Sequence, residues 1–349
     1  MPDAQTEPAP AALLEAPRPV RAHARALPLR VGTRGSPLAL WQTRHFLDRL
    51  RGFCPVLRGP VLGGREVFEE HVIRTTGDRV QDRSLAEIGG KGLFAKEIHE
   101  ALADGRIDFA VHSLKDLETE LPPGVVLACT LRREDARDAL ILGPACRAPD
   151  PADPLAALPA RALVGTNSVR RQAQRLHARP DLRMTLLRGN VGSRLAKLRD
   201  GACQASLLAL AGLRRLGLEG EAGLVLDPDA MVPAAGQGIV GVTVRESDAA
   251  LRELLAGIED PEARAVSTAE RALLARLDGS CRTPIGGHAR LLPAAPGEAP
   301  RLRLTGLVAR ADGSFLLKRS LHAPARDAER LGQELGASLR RDSPRDIFG

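Results

Sequence analysis

The sequence predicts an α/β protein with two lobes of similar design. Three observations carry that prediction. At 349 residues, the chain suits two or three domains, each large enough to bury its own core. A short strand, a small polar loop and a capped helix occur twice, 133 residues apart. Polar and basic residues gather just past predicted strand ends, where open α/β sheets bind ligands.

Residues 1–27 come first. Their prolines interrupt any signal-like apolar stretch, and Asp3, Glu7 and Glu15 do not suit a mitochondrial presequence. A disordered extension is expected. Leu29–Thr33 then reads as a strand running into Arg34-Gly35-Ser36-Pro37. A helix follows with Leu40, Leu47 and Leu50 on one face; Ser36 at its N-cap and Pro37 in its first turn mark the start. Ile88–Gly92 opens a second helix, with an apolar stripe of Leu93, Phe94, Ile98, Ala101 and Leu102. Gly105 stops it. Ile107–His112 is a strand that ends in Ser113-Leu114-Lys115-Asp116. Residues 162–168 copy the first unit, with Ser168 leading a helix from Val169 through Leu176. Gly236–Gly241 matches GxGxxG literally, but it precedes the alternating strand Val242-Thr243-Val244. Dinucleotide binding needs that fingerprint after a strand and opening a helix, so it is rejected. Ser267–Glu270 predicts a capping box for a helix ending near Leu277. A Gly/Pro loop, Asp278–Gly287, comes next.

Charge narrows the function. The chain has 50 Lys+Arg against 43 Asp+Glu, yet residues 161–217 alone hold 12 Arg/Lys against Asp181 and Asp200. A solvated helix face is the bland account of such a run. Against it, Arg170, Arg171, Arg188 and Arg194 sit among Gly, Ser, Thr and Asn at element boundaries, where planar guanidiniums suit carboxylate or phosphate. Only five basic residues are Lys, and three of these lie within residues 91–115, which points to a required ammonium. With seven Phe, one Trp and no Tyr, the chain is short of the aromatics on which single-strand binders stack bases. No apolar run approaches the ~20 residues of a membrane-spanning helix.

The five cysteines (54, 129, 146, 203 and 281) lie far apart without a CxxC pair. That excludes a zinc ribbon and a disulfide scaffold and suits a reducing cytosol. Cys281 differs from the others, lying in a Gly/Pro loop beside Arg282, a neighbour that favours the thiolate.

Eight segments together resemble the porphobilinogen deaminase family: Val31–Gln42, Gly89–Lys96, Ala110–Asp116, Arg133–Asp138, Val164–Gln172, Leu187–Leu195, Pro233–Gly238 and Gly279–Gly286. They run in the family's order across roughly residues 28–349. The resemblance implies two periplasmic-binding-protein-like lobes around a cleft plus a smaller C-terminal α/β domain. It places residues 28–131 and 231–247 in the first lobe, 132–230 in the second, and 248–349 in the domain carrying the cofactor cysteine. The implied reaction links four porphobilinogen molecules head to tail, losing ammonia and releasing linear hydroxymethylbilane. Its dipyrromethane cofactor is bound through a thioether to the cysteine matching Cys281.

By the same resemblance, Asp116 is the catalytic carboxylate. Lys115, Thr166, Ser168, Arg170, Arg171 and Arg194 hold the cofactor, while Arg34, Ser36, Lys91, Arg188 and Arg215 hold substrate. No metal is expected, and a monomeric cytoplasmic enzyme without nucleic-acid or membrane partners is. Glu87 and Glu97, the other acids near the glycine loop, are read as a solvated helix face. Leu117-Glu118 stands where the family commonly has Val-Pro, Ser280 where it usually has Gly, and Asn167 where a small Ser is common. Two rivals differ in class: a non-catalytic anion binder on the same scaffold, and a basic nucleic-acid binder.

Overall fold

The structure, a computed structural model, describes residues 26–62, 64–80, 92–144, 146, 157–278, 283–293 and 298–348. The expected disordered extension, up to residue 25, lies outside them. The chain begins with β1 (Leu29–Thr33) and α1 (Pro37–Phe53), then the hairpin β2 (Val61–Leu62) and β3 (Arg65–Glu66), and β4 (Phe68–Val72). The helical turn α2 (Thr76–Arg79), α3 (Lys96–Ala103), β5 (Phe109–Ser113) and β6 (Val125–Thr130) follow. These strands join β12 (Val240–Arg245) in one sheet of order β4-β1-β5-β12-β6. β1 is parallel to β4 and β5, whereas β12 is antiparallel to β5 and β6.

A second sheet repeats this plan. It is formed by β7 (Asp138–Leu142), β8 (Leu163–Gly165), β9 (Arg183–Thr185), β10 (Ala205–Ala209) and β11 (Leu224–Val225), in the order β11-β7-β10-β8-β9. Here too the strand after a parallel trio is antiparallel, β7 against β10. Each lobe's antiparallel strand is the one by which the chain enters or re-enters it, so two crossing segments join two lobes of one topology. The expectation of paired α/β lobes holds.

Local chemistry sets the helix starts. Ser36 caps α1 by accepting from Ala39 N (3.2 Å), and Pro37 follows it. The buried face of α1 is Ala39, Gln42, Thr43, Phe46, Leu47 and Leu50; Leu40, expected there, is only half-buried. Phe46 meets Phe109 of β5 edge-on at 5.5 Å. Burying a Phe or Leu of this kind contributes roughly 1.5–3 kcal/mol. Ser168 caps α4 (Val169–Ala178), the copy in the second lobe. It is followed by α5 (Val191–Arg199) and α6 (Leu210–Arg215). Helix α3 starts later than expected, after a turn at residues 93–95, and Gly105 ends that region at φ +72°.

Helix α7 (Ala249–Ala256) lies beyond the expected boundary at residue 247, yet its Leu251 and Leu255 join the core over the first sheet. The last domain comprises α8 (Pro261–Arg276), an antiparallel sheet of β13 (Ile285–Leu292), β14 (Arg301–Ala309) and β15 (Leu316–Pro324), and α9 (Ala328–Asp342). One expectation fails here. The predicted capping box at Ser267–Glu270 lies in the middle of α8, whose cap is Asp260 accepting from Ala263 N (2.7 Å), with Pro261 in the first turn. Asp-Pro is the stronger start signal, and Ser267 bonds back to Arg264 O instead.

Candidate active site

A cleft of about 870 Å³ is lined by both lobes and the last domain. The first lobe contributes Arg34, beyond β1, and Lys115 and Asp116, beyond β5. The second contributes Ser168, Arg171 and Arg194, and the last domain Thr283 and Ile285. Among the described residues, eight cations and three carboxylates line it. Loops past parallel strand ends thus converge on an anion-binding space.

On the first-lobe side, Arg34 forks onto Asp78 (Nε–Oδ2 3.2 Å, Nη2–Oδ1 2.5 Å) and lies 4.1 Å over the Phe94 ring. Burial opposes charge on Asp78, but Arg34 and Thr75 hold its carboxyl below the usual range. Asp116 occupies a 3-10 turn, Leu114–Asp116, with Arg34 Nη1 3.9 Å away. The strand therefore gives way to a turn before Lys115 and Asp116. Lys115 Nζ instead donates to Gln237 Oε1 (3.3 Å). Solvent reaches Lys115 within the cleft, but the enclosing protein, then Arg171, push its ammonium down to about 8. Glu97, expected on a solvated face, accepts from Thr76 N (2.8 Å) and Oγ1 (2.5 Å).

The second-lobe side contains an arrangement invisible in the sequence. Arg170 and Arg171 are both buried and share one carboxylate, Asp138, at 2.9 and 2.7 Å. Arg170 also donates to Val232 O (2.6 Å), and Arg171 to Leu207 O (2.8 Å). Although burial disfavours its charge, the two guanidiniums hold Asp138 far below the normal carboxylate range. Gln237 Nε2 donates to the same carboxylate (2.8 Å), so a chain of contacts runs from Lys115 through Gln237 to Asp138 and both arginines.

The remaining predicted residues are near. Thr166 Oγ1 accepts from Ser168 N (3.1 Å), and Ser168 Oγ from Arg171 N (3.4 Å). Arg188 crosses between lobes to Gly77 O (3.1 Å). Arg194 donates Nε to Gly189 O (2.8 Å), and Arg215 donates to Gly238 O (2.6 Å). Burial lowers both guanidiniums to about 10; the Arg171 and Arg188 charges add to this for Arg194. Lys91 and Cys281 lie outside the described residues. Among the described cysteines, Cys54, Cys129 and Cys203 are buried, and burial pushes Cys129 up to about 12.

Two buried polar atoms bordering the cleft, Asn167 Oδ1 and Arg171 Nε, have no hydrogen-bond partner among the described residues. An acceptor and a cationic donor left open, beside Lys115 and Arg194, fit a ligand carrying both N–H groups and carboxylates. Sequence reasoning missed Asp138, Gln237, Asp78 and Glu270 as parts of this region. Asp138 and Gln237 stand inside quoted segments, but their partners are 32 or more residues away.

The fold and the site define a two-lobed α/β protein with a cationic cleft that also holds a carboxylate at a strand end. Residues 29–253 match the family described as "Porphobilinogen deaminase, dipyromethane cofactor binding domain", and residues 265–341 match "Porphobilinogen deaminase, C-terminal domain". The chain is 46% identical over 321 residues to the porphobilinogen deaminase of Paracoccus denitrificans, covering 92% of this chain and 96% of that one. It is 46% identical to that of Sorangium cellulosum, over 90% of this chain and 98% of the other. A solved Salmonella typhimurium periplasmic binding protein with high arginine specificity aligns at 12% identity and TM-score 0.36, over 68% of this chain and 93% of that one. The chain belongs to the porphobilinogen deaminase family.

Proposed function

We propose that this protein joins four porphobilinogen molecules head to tail into linear hydroxymethylbilane, releasing ammonia, in tetrapyrrole biosynthesis. The observation that carries the reading is the convergence of eight cations on one cleft that also holds Asp116. Each porphobilinogen brings two carboxylates, so a growing chain needs many guanidinium partners. A dipyrromethane on Cys281 supplies the pyrrole carbon from which the chain grows.

The protein's own groups do the rest. Lys115, Thr166, Ser168, Arg170, Arg171 and Arg194 would hold the cofactor. Arg34, Ser36, Lys91, Arg188 and Arg215 receive substrate. Because Arg170 and Arg171 are committed to Asp138, they act as a fixed positive wall more than as free forks. Lys115, near 8, keeps most of its charge at neutral pH and donates to a carboxylate. The substrate's C–N bond breaks with the electron pair leaving on ammonia, and an azafulvenium cation remains. Asp116 faces that cation's pyrrole N–H, stabilises its charge, and takes the ring proton lost once the new C–C bond has formed.

The proposal includes a monomer acting in the cytoplasm without nucleic-acid or membrane partners. Among the described residues no helix is long and apolar enough to cross a membrane. It also retains the division into residues 28–131 with 231–247, 132–230, and 248–349, except that α7 goes with the first lobe on its packing. The test is the intact mass of the purified protein and of Cys281→Ala. The native chain should carry a covalent dipyrrole and consume porphobilinogen, and the variant should do neither. A native chain of unmodified mass that leaves porphobilinogen untouched would indicate a non-catalytic anion binder.

A further inference from the structure

Most cations of the cleft are already spoken for. Arg34 forks onto Asp78, Arg170 and Arg171 share Asp138, and Lys115 gives its ammonium to Gln237. Arg188, Arg194 and Arg215 each donate to a backbone carbonyl. Arg74 is different. It lines the cleft and is exposed, and among the described residues its guanidinium has no hydrogen-bond acceptor and no ion pair. Its own carbonyl accepts from Arg79 Nη2 (3.1 Å), which ties down the backbone of that turn.

The sheet register explains how Arg74 reaches the site. β4 runs parallel to β1 with Val72 opposite Thr33, and Ile73 N donates to Thr33 O (2.8 Å). Arg74 therefore leaves the same carboxyl edge of the sheet as Arg34. Val72, 58% exposed, also lines the cleft there, so an apolar side chain and an uncommitted guanidinium stand two residues apart. The second lobe touches this segment through Arg188 at Gly77. An apolar surface with one planar cation suits an aromatic ring bearing a carboxylate.

We propose that Arg74 is a further binding residue, one that takes a carboxylate of the growing oligopyrrole as successive rings are added. This rests on the deaminase reading above. Each ring adds two carboxylates, and Arg74 is the one cleft cation whose side chain has no acceptor at all among the described residues. Its contribution grows with chain length.

The test compares the holoenzymes of Arg74→Gln and Arg74→Lys with the native protein. Intact mass should find all three loaded alike. After limiting porphobilinogen, Arg74→Gln should accumulate enzyme-bound species with two or three added rings, as later additions slow by roughly three- to tenfold. Its first addition should stay within about twofold of native, and Arg74→Lys should fall between. A native-like distribution in Arg74→Gln would overturn the assignment, as would equal impairment of the Gln and Lys variants, which means a steric role. A native protein without any dipyrrole mass would instead remove the deaminase reading, and this role with it.

Discussion

Asp116 and Asp138 are both aspartates of the cleft region, but their surroundings assign them opposite work. Asp116 is half-buried, with Arg34 at 3.9 Å, and so keeps an open carboxylate. Asp116→Asn should fold and, in protein shown by mass to hold the dipyrromethane, slow single-turnover ring addition by at least ~10²-fold; near-native addition by that loaded variant would end its catalytic assignment. Asp138 is wholly buried between two guanidiniums. Removing its charge leaves both unpaired in the interior, a loss of about 3–5 kcal/mol. Asp138→Asn should therefore show a clearly lowered melting temperature before any question of activity arises, and unchanged melting would contradict the buried triad. Arg194 provides the contrast, since its one described hydrogen bond goes to a backbone carbonyl. Arg194→Leu should keep its fold and lose ~10- to 150-fold in carboxylate affinity, seen by intact mass as impaired cofactor loading or stalled elongation; normal loading and turnover would return it to a solvated face.

Among elements, the packing of α3 on β5 has a consequence for pH. His99 of α3 and His112 of β5 are both buried with ring centroids 5.6 Å apart, and neither nitrogen of His99 has a partner among the described residues. His112 Nε2 is bonded to Thr243 Oγ1 (2.9 Å), a satisfied strand residue with no catalytic contact. Burial lowers His99 to about 4 and, helped by His99 and Arg34, His112 to about 3. Both are neutral in the folded protein at neutral pH. Below about 6.5 the unfolded chain binds protons that the folded chain refuses, so stability falls as pH drops toward 4. His99 alone accounts for up to about 3 kcal/mol of that fall. His99→Leu should flatten the decline between pH 7 and 4.5 in denaturant titrations. A variant declining as steeply as native would assign the acid sensitivity elsewhere.

For the whole molecule, one carboxylate holds the last domain to the crossing segments. Glu270 of α8 is completely buried; it accepts from Arg133 Nη1 (2.6 Å), Gly236 N (2.7 Å) and Ala289 N (2.6 Å). Those donors come from the segment entering the second lobe, the segment leaving it, and β13. Glu270→Ala removes the carboxylate partner of the half-buried Arg133 and strands two amides, and it should cost several kcal/mol. Calorimetry should find a marked fall in melting temperature; a native-like melting curve would show that the joint is not structural. The sequence by itself determined the local pieces. Ser36-Pro37 and Ser168 start helices because their side chains satisfy the nearest free amides, and the basic excess of residues 161–217 follows from composition alone. The eight segments sufficed to indicate the family. The capping box at Ser267–Glu270 was misread because a local pattern cannot tell that Glu270 has three distant donors. Only the tertiary structure decided which guanidiniums remain open. Arg74 and Arg171 are the same residue type in similar polar company, but one meets solvent in the cleft and the other meets Asp138, 33 residues away in the chain. Ion pairing across strands leaves no periodic trace in sequence, because it depends on which chain segments the crossing strands β7 and β12 bring together.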